Sequence, residues 1–285
     1  MRPDDSASSL TQRAPRGIQR RQFPRLEAAL SRKMVPRAPA VAVSSCLVAP
    51  FVETMPTGLL LEVAVDSLAR AMAAERGGAH RLELCARLET GGLTPSLELI
   101  RQVRTAVRIP IHVMVRPRPG DFVYSADEFG EMKESIKAIT EENVQGIVAG
   151  VLLPGSAVDV QRTRDLVAIA SPMQVTFHRA FDKTKDFTEA LEDIVLTGAL
   201  RILTSGGAAG AESGASVLRS LIQQAGNRIT ILPGGGLHTG NIAEVARGTG
   251  ARELHAGLGG MIPYASQDAA TFESAVRQCV ANLAR

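Results

Sequence analysis

The sequence has no tryptophan, two tyrosines and three cysteines, and each scarcity narrows what the chain can be. With so few aromatics, the core must be filled by the abundant Ala, Val, Leu and Ile, which suits helices packed on a sheet. Cys46, Cys85 and Cys279 lie far apart with no Cys-x-x-Cys pair. An odd, sparse count excludes a disulfide-stapled secreted scaffold and points to a reducing compartment. No apolar run reaches the roughly 18–20 residues a membrane helix requires, so no membrane partner is expected. Lysine is missing from the strand ends: Lys133, Lys137, Lys183 and Lys185 fall on helices or loops, which excludes Schiff-base aldolase chemistry. There is no Gly-x-Ser-x-Gly elbow, no His-Glu-x-x-His and no compact Cys/His cluster. A serine-hydrolase elbow and a self-contained zinc site are thereby excluded.

Basic charge in excess is missing from most of the chain as well. The first 54 residues carry nine Lys/Arg against four Asp/Glu, so a chain total of +3 leaves −2 for the remainder. A mildly acidic body gives no electrostatic footprint for nucleic acid. Within residues 1–54, Arg20-Arg21-Gln22-Phe23 resembles a twin-arginine signal and Val43-Ser44-Ser45-Cys46 resembles a lipoprotein cleavage site. Glu27, Arg32, Lys33, Arg37 and three prolines interrupt any apolar stretch between them, so export is not expected. The segment reads as a disordered or artefactual leader, with Met55 as an alternative start and residues 55–285 as one domain.

What is present is a repeating unit. Gln174-Val175-Thr176-Phe177 is apolar and β-branched enough for a buried strand, and it runs without a spacer into His178-Arg179-Ala180-Phe181-Asp182. Seven similar strands are read at Leu59–Asp66, Arg81–Cys85, Ile111–Val115, Gly146–Val151, Arg201–Thr204, Ile229–Leu232 and Glu253–His255, each followed by an amphipathic helical stretch. Eight strand–helix units at nearly even spacing predict an α/β fold of the (β/α)8 TIM-like barrel type, with its active face at the carboxyl ends of the strands. A doubly wound sheet would need a glycine fingerprint after the first strand, where Asp66-Ser67-Leu68 stands instead.

Strand alternation places Glu62 with Ala64, Glu83 with Cys85, Met114 with Arg116, Thr176 with His178, and Glu253 with His255 on the barrel-facing side. The candidate catalytic set is therefore Glu62, Glu83, Arg116, Arg118, His178 and His255, with carboxyl and imidazole groups for proton transfer and the two arginines as a clamp. The structural alternative has Glu62 and Glu83 bridging Arg116 and Arg118 in a buried ion-pair network. His112, lower on its strand, reads as a satisfied core histidine. Two glycine-rich turns, Ser205-Gly206-Gly207 and Gly234-Gly235-Gly236, are candidate anion cradles, because their N–H groups can converge on an oxyanion. On these residues alone the expected activity is that of an enzyme acting on a small anionic or phosphorylated substrate by acid–base chemistry. A divalent metal on Glu62, Glu83 and the histidines is a further option, and a non-catalytic scaffold would need the charged mouth to be fully self-paired.

The stretches LLLEVAVDS, GGAHRLELCARLETGGLTPS, VMVRPRPGDFVYS, VTFHRAFD, RILTSGG, ILPGGG and ELHAG, in this order between Gly58 and about Ala256, resemble the CutC family of copper homeostasis proteins. The resemblance implies a TIM-like barrel, a cytoplasmic setting, a homodimer or higher homo-oligomer, and copper(I) bound through cysteine at the barrel mouth. Carried onto this chain, that ligand is Cys85. The family's first-strand motif often carries a second cysteine where this sequence has Ala64, so Cys85 would have to recruit Met114, His178 or a partner chain. Cu(I) favours two or three sulfur ligands.

Overall fold

The computed structural model describes residues 58–263 and 268–285. The expectations for the leader, Cys46 and Met55 lie outside the described residues. Eight strands alternate with eight helices: β1 Leu60–Val65, α1 Leu68–Arg76, β2 Arg81–Leu84, α2 Leu97–Ala106, β3 Ile111–Met114, α3 Ala126–Thr140, β4 Gly146–Ala149 and α4 Val160–Ala170 come first. They are followed by β5 Gln174–Phe177, α5 Phe187–Thr197, β6 Arg201–Thr204, α6 Ala215–Ala225, β7 Thr230–Pro233, α7 Ile242–Thr249, β8 Glu253–Ala256 and α8 Ala269–Leu283. All pairings are parallel, in the order β7-β6-β5-β4-β3-β2-β1-β8. A parallel bridge between Gly234 and His255 brings β7 against β8 and closes the ring. The expected (β/α)8 barrel is the fold.

The seam depends on one glycine. A Cβ on Gly234 would lie 2.5 Å from Leu203 Cδ1 and 3.2 Å from His255, so a larger residue would push β6, β7 and β8 apart. Elsewhere the helix starts follow local side-chain chemistry. Ser67 and Ser96 accept from Arg70 N and Leu99 N, and Ser125 forms a reciprocal capping box with Glu128.

Alternation divides the strands as their sequence dictates. Outward residues such as Leu61, Val63, Leu82, Val113, Ile147 and Ile202 are buried in the aliphatic shell beneath the helices. The register sets Glu62 beside Arg81 and His255, Ala64 beside Glu83, and Glu83 beside His112. Polar side chains thus fill the layers inside the barrel that branched aliphatics usually occupy.

Candidate functional site

The floor of the barrel is an ion-pair network. Arg81, fully buried, bonds Glu62 through Nε and Glu253 Oε2 through a terminal nitrogen at 2.7 Å. Arg201 donates to the same Glu253 oxygen at 2.8 Å and to Gln174 Oε1 at 2.5 Å. The partner of Glu62 is therefore Arg81, not Arg116 or Arg118. Arg81 and Arg201 open their strands as expected, but neither was counted among the inward side chains. Extending the alternation two residues back from Glu83 would have marked Arg81 as inward. His112 is buried with neither ring nitrogen hydrogen-bonded, and its Nδ1 stands 3.9 Å from Glu62. Burial and the Arg81 charge hold it well below the ordinary imidazole range. The expectation of a satisfied histidine is thus corrected: β3 sets the ring beside a carboxylate already committed to Arg81.

Above this floor, a relay leads to a cavity. His255 Nδ1 lies 2.8 Å from Glu62 Oε1, and its Nε2 lies 3.7 Å from Glu83 Oε2. Burial alone would push the Glu62 carboxyl up, but Arg81, and after it the His255 hydrogen bond, hold it well below the usual carboxylate range. Glu83 goes the other way: burial raises it, His255 only partly opposes this, and Glu62 adds to the rise. Burial tends to depress His255, yet the two carboxylates outweigh it and raise the imidazole above its ordinary value. One Glu83 oxygen, Oε1, is buried without a hydrogen-bond partner. The arrangement couples the titration of Glu83 and His255 across 3.7 Å while Glu62 orients the ring.

The cavity, of about 240 Å³, is lined by Glu83, His255, Met114, Arg116, His178 and Arg179 among others. It lies just below the usual size range of small-molecule pockets, which fits a small ligand. His178 caps the single 3-10 turn Arg179–Lys183 by accepting from Ala180 N, so its Nδ1 is in use while Nε2 is buried and unpartnered. Burial, reinforced by the Arg116 charge, pushes this imidazole down to about 3. It is neutral at physiological pH.

The sequence-predicted arginines separate. Arg116 lines the cavity, donates to Thr90 O, Gly92 O and Gly120 O, and stacks its guanidinium over Phe122 at 4.9 Å. It fastens the rim loops and lends its charge to the mouth. Arg118 is bound to Glu128 at 2.6 Å and Asp121 at 2.9 Å, and it does not line the cavity. Cys85 is fully buried in a small cluster with Ala64, Leu88, Met114 and Val148, and it too is not part of the cavity wall. Its thiol donates to Glu83 Oε2 at 3.5 Å. Burial, and then the Glu83 charge, push that thiol well above its ordinary value.

The two glycine turns also differ. At the turn after β6, the carboxylate of Asp182 accepts from Ser205 N at 3.1 Å, Gly207 N at 3.2 Å and Thr204 Oγ1 at 2.5 Å, while Gly206 N donates to Thr204 Oγ1. The chain fills that cradle with its own anion. Gly234 N is spent on Thr204 O, but Gly235 and Gly236 line the cavity, and their N–H groups have no acceptor among the described residues. Asp182 and Arg179 were adjacent to His178 in the sequence; only the fold of β6 onto the 3-10 turn reveals their partners.

The CutC family model matches residues 59–260. A CutC family protein of Chromobacterium violaceum is 45% identical over 206 residues, covering 72% of this chain and 83% of its own length. The copper homeostasis protein cutC homolog of Homo sapiens is 44% identical over 198 residues, covering 70% of this chain and 72% of its own. The crystal structure of a protein designated CutC from Streptococcus agalactiae superposes with a TM-score of 0.67 at 29% identity, over 70% of this chain and 98% of that one.

Proposed function

The chain belongs to the CutC family, and from that premise we propose that its barrel mouth is an acid–base site for a small anionic substrate, at work in a copper homeostasis protein. One observation carries the proposal. Glu83 presents a buried carboxyl oxygen with no partner beside an imidazole whose other nitrogen is fixed by a second carboxylate. Leaving such a group unsatisfied costs about 1–3 kcal/mol, which stability alone does not reward. With its carboxyl raised by burial, Glu83 can give a proton to a ligand and take it back, with His255 as the adjoining donor or acceptor. The cavity and the unpaired oxygen also weigh against a self-paired scaffold.

The supporting test is exchange of substrate protons with solvent. Small phosphorylated and carboxylated hydroxy- and keto-acids are incubated in heavy water, and deuterium incorporation is followed by NMR. Wild-type protein is expected to exchange a carbon-bound proton of at least one compound, and Glu83→Gln to lose that exchange by about 100-fold or more. Equal exchange in both proteins would remove Glu83 from the chemistry.

Copper(I) at Cys85 is the second reading, favoured by the neighbouring thioether: a Cβ on Gly92 would meet Cys85 Sγ at 3.0 Å and the Met114 methyl at 3.4 Å. The donors nevertheless fit a cuprous ion poorly. Cu(I) prefers two or three thiolate or thioether ligands, Ala64 occupies the neighbouring place in the cluster, and the thiol beside Glu83 resists ionisation. Glu62, Glu83 and His255 offer ligand atoms within 4.8 Å of one another, but these are hard oxygen and imidazole donors, and Arg81 already supplies the positive charge. Titrating reduced protein with Cu(I) against a competing chelator decides the matter: stoichiometric binding lost in Cys85→Ala would establish the copper reading. Among the described residues no helix is long and apolar enough to cross a membrane. The cytoplasmic setting and the homo-oligomer belong to the same proposal, and light scattering on the purified protein reads the second.

A further inference from the structure

Beyond the Glu83–His255 corner, the cavity holds a second set of donors that the acid–base reading does not use. Arg179 lines it, with Nε bound to Asp182 Oδ2 at 2.8 Å and one terminal nitrogen bound to Ser205 Oγ at 2.9 Å. Asp182 is itself fixed by the turn after β6, so the guanidinium is held in one orientation rather than left to sweep the surface. Its remaining terminal nitrogen, NH1, has no acceptor among the described residues. That nitrogen lies against the β7 turn: a Cβ on Gly235 would stand 3.2 Å from both Arg179 Cζ and NH1. Gly235 and Gly236 have φ of +99° and +70°, a left-handed run that glycine tolerates and that lets the backbone come close to Arg179 at the cavity wall.

Charge points the same way. The lining holds two guanidinium groups, Arg116 and Arg179, against a single carboxyl, Glu83. Arg116 spends both terminal nitrogens on three carbonyls of the rim and keeps only Nε without a partner, whereas Arg179 keeps a terminal nitrogen beside the Gly235 and Gly236 amides. An oxyanion with several acceptor oxygens satisfies all three donors at once, as a phosphate group does. The turn after β6 cannot serve in its place, because Asp182 already sits in it.

We infer that the ligand of this barrel carries a phosphate group, seated on Arg179 NH1 and the N–H groups of Gly235 and Gly236. This rests on reading the mouth as a ligand site, and it assigns the end of the ligand that does not react. Arg179 is a binding residue, and its neighbours Asp182 and Ser205 position it.

The test uses inorganic phosphate on the full chain, followed by 31P NMR and calorimetry against chloride at equal ionic strength. Wild-type protein is expected to bind saturably. Arg179→Ala should weaken binding at least about tenfold, as loss of a charge-assisted hydrogen bond implies. Arg179→Lys, which keeps the charge and loses the fork, should weaken it too and guards against a folding defect in the first variant. No saturable binding, or binding equal to wild type in both Arg179 variants, overturns the inference. Phosphate binding without substrate proton exchange sinks the acid–base reading and leaves this one standing; exchange that is indifferent to Arg179 does the reverse.

Discussion

Replacing Arg81 with methionine tests the barrel floor most directly. The guanidinium is fully buried between Glu62 and Glu253, and methionine keeps an unbranched, flexible stem while removing the charge. In the variant, Glu253 retains Arg201 at 2.8 Å, while Glu62 keeps only the His255 contact at 2.8 Å. Removing one partner of a buried pair costs about 3–5 kcal/mol, because the remaining charge stays desolvated and uncompensated. For a domain of this size each kcal/mol moves the melting midpoint by about 2–4 °C, so a fall of about 6–20 °C is expected.

The pH dependence adds a second constraint with a definite sign. Burial works to raise Glu62, but Arg81 above all holds it well below the ordinary carboxylate value. A depressed carboxyl contributes stability that is fully present above its unfolded value and is lost as pH falls through the folded one. Without Arg81 the depression goes, so the variant lacks that contribution. Its deficit should be full above the ordinary glutamate value of about 4.3 and shrink only as pH falls below that towards the depressed folded value, where wild type gives up the same stabilisation. Thermal melts followed by far-UV circular dichroism across this range measure both effects. A loss under about 1 kcal/mol, or a deficit that does not vary with pH, would show that Glu62 is stabilised by something other than Arg81.

The coupling between Glu83 and His255 is read by NMR titration of the imidazoles. His255 should titrate above about 6.5 in wild type and lower in Glu83→Gln, since Glu83 is the largest influence raising it against burial; an unchanged midpoint would refute the coupling. In the same spectra His178 should remain neutral down to acid pH, because burial and Arg116 push it to about 3. Cys85 should be alkylated by iodoacetamide at least about tenfold more slowly than an exposed thiol, given its burial and raised value, with the rate taken from peptide mass spectrometry; rapid labelling would place the sulfur at the surface of the mouth.

The fold was legible because the period of the pattern carries it. The strands announced themselves by short runs rich in apolar or β-branched residues, and the inward set followed from counting by twos from Glu62 or Glu83. What alternation leaves open is which inward charge meets which. Glu62 and Arg81 are neighbours across adjacent strands through a register that depends on barrel closure, and no local signal fixes that. The partner of Asp182 was hidden for a similar reason: its carboxylate reaches a turn more than twenty residues later. Arg118 misled because it shares a loop with Arg116, but Glu128, placed by the capping box of α3, draws it to the rim.

Structure and function, set against each other when only Glu62 and Glu83 were in view, turn out to use different parts of one chain of contacts. Arg201, Glu253, Arg81 and Glu62 are mutually paired and take no part in the wall of the mouth cavity, so their charges cancel and they fix the frame. His255 is the hinge, bound to that frame through Nδ1 and turned to Glu83 through Nε2. On the cavity side the pairing runs out at Glu83, with one oxygen left over at the wall. A network built for rigidity alone would end on a satisfied group, because an orphaned buried acceptor costs as much as the network gains at that step. The unpaired end is therefore where a ligand belongs, and the four paired residues behind it hold His255 and Glu83 in place for proton transfer.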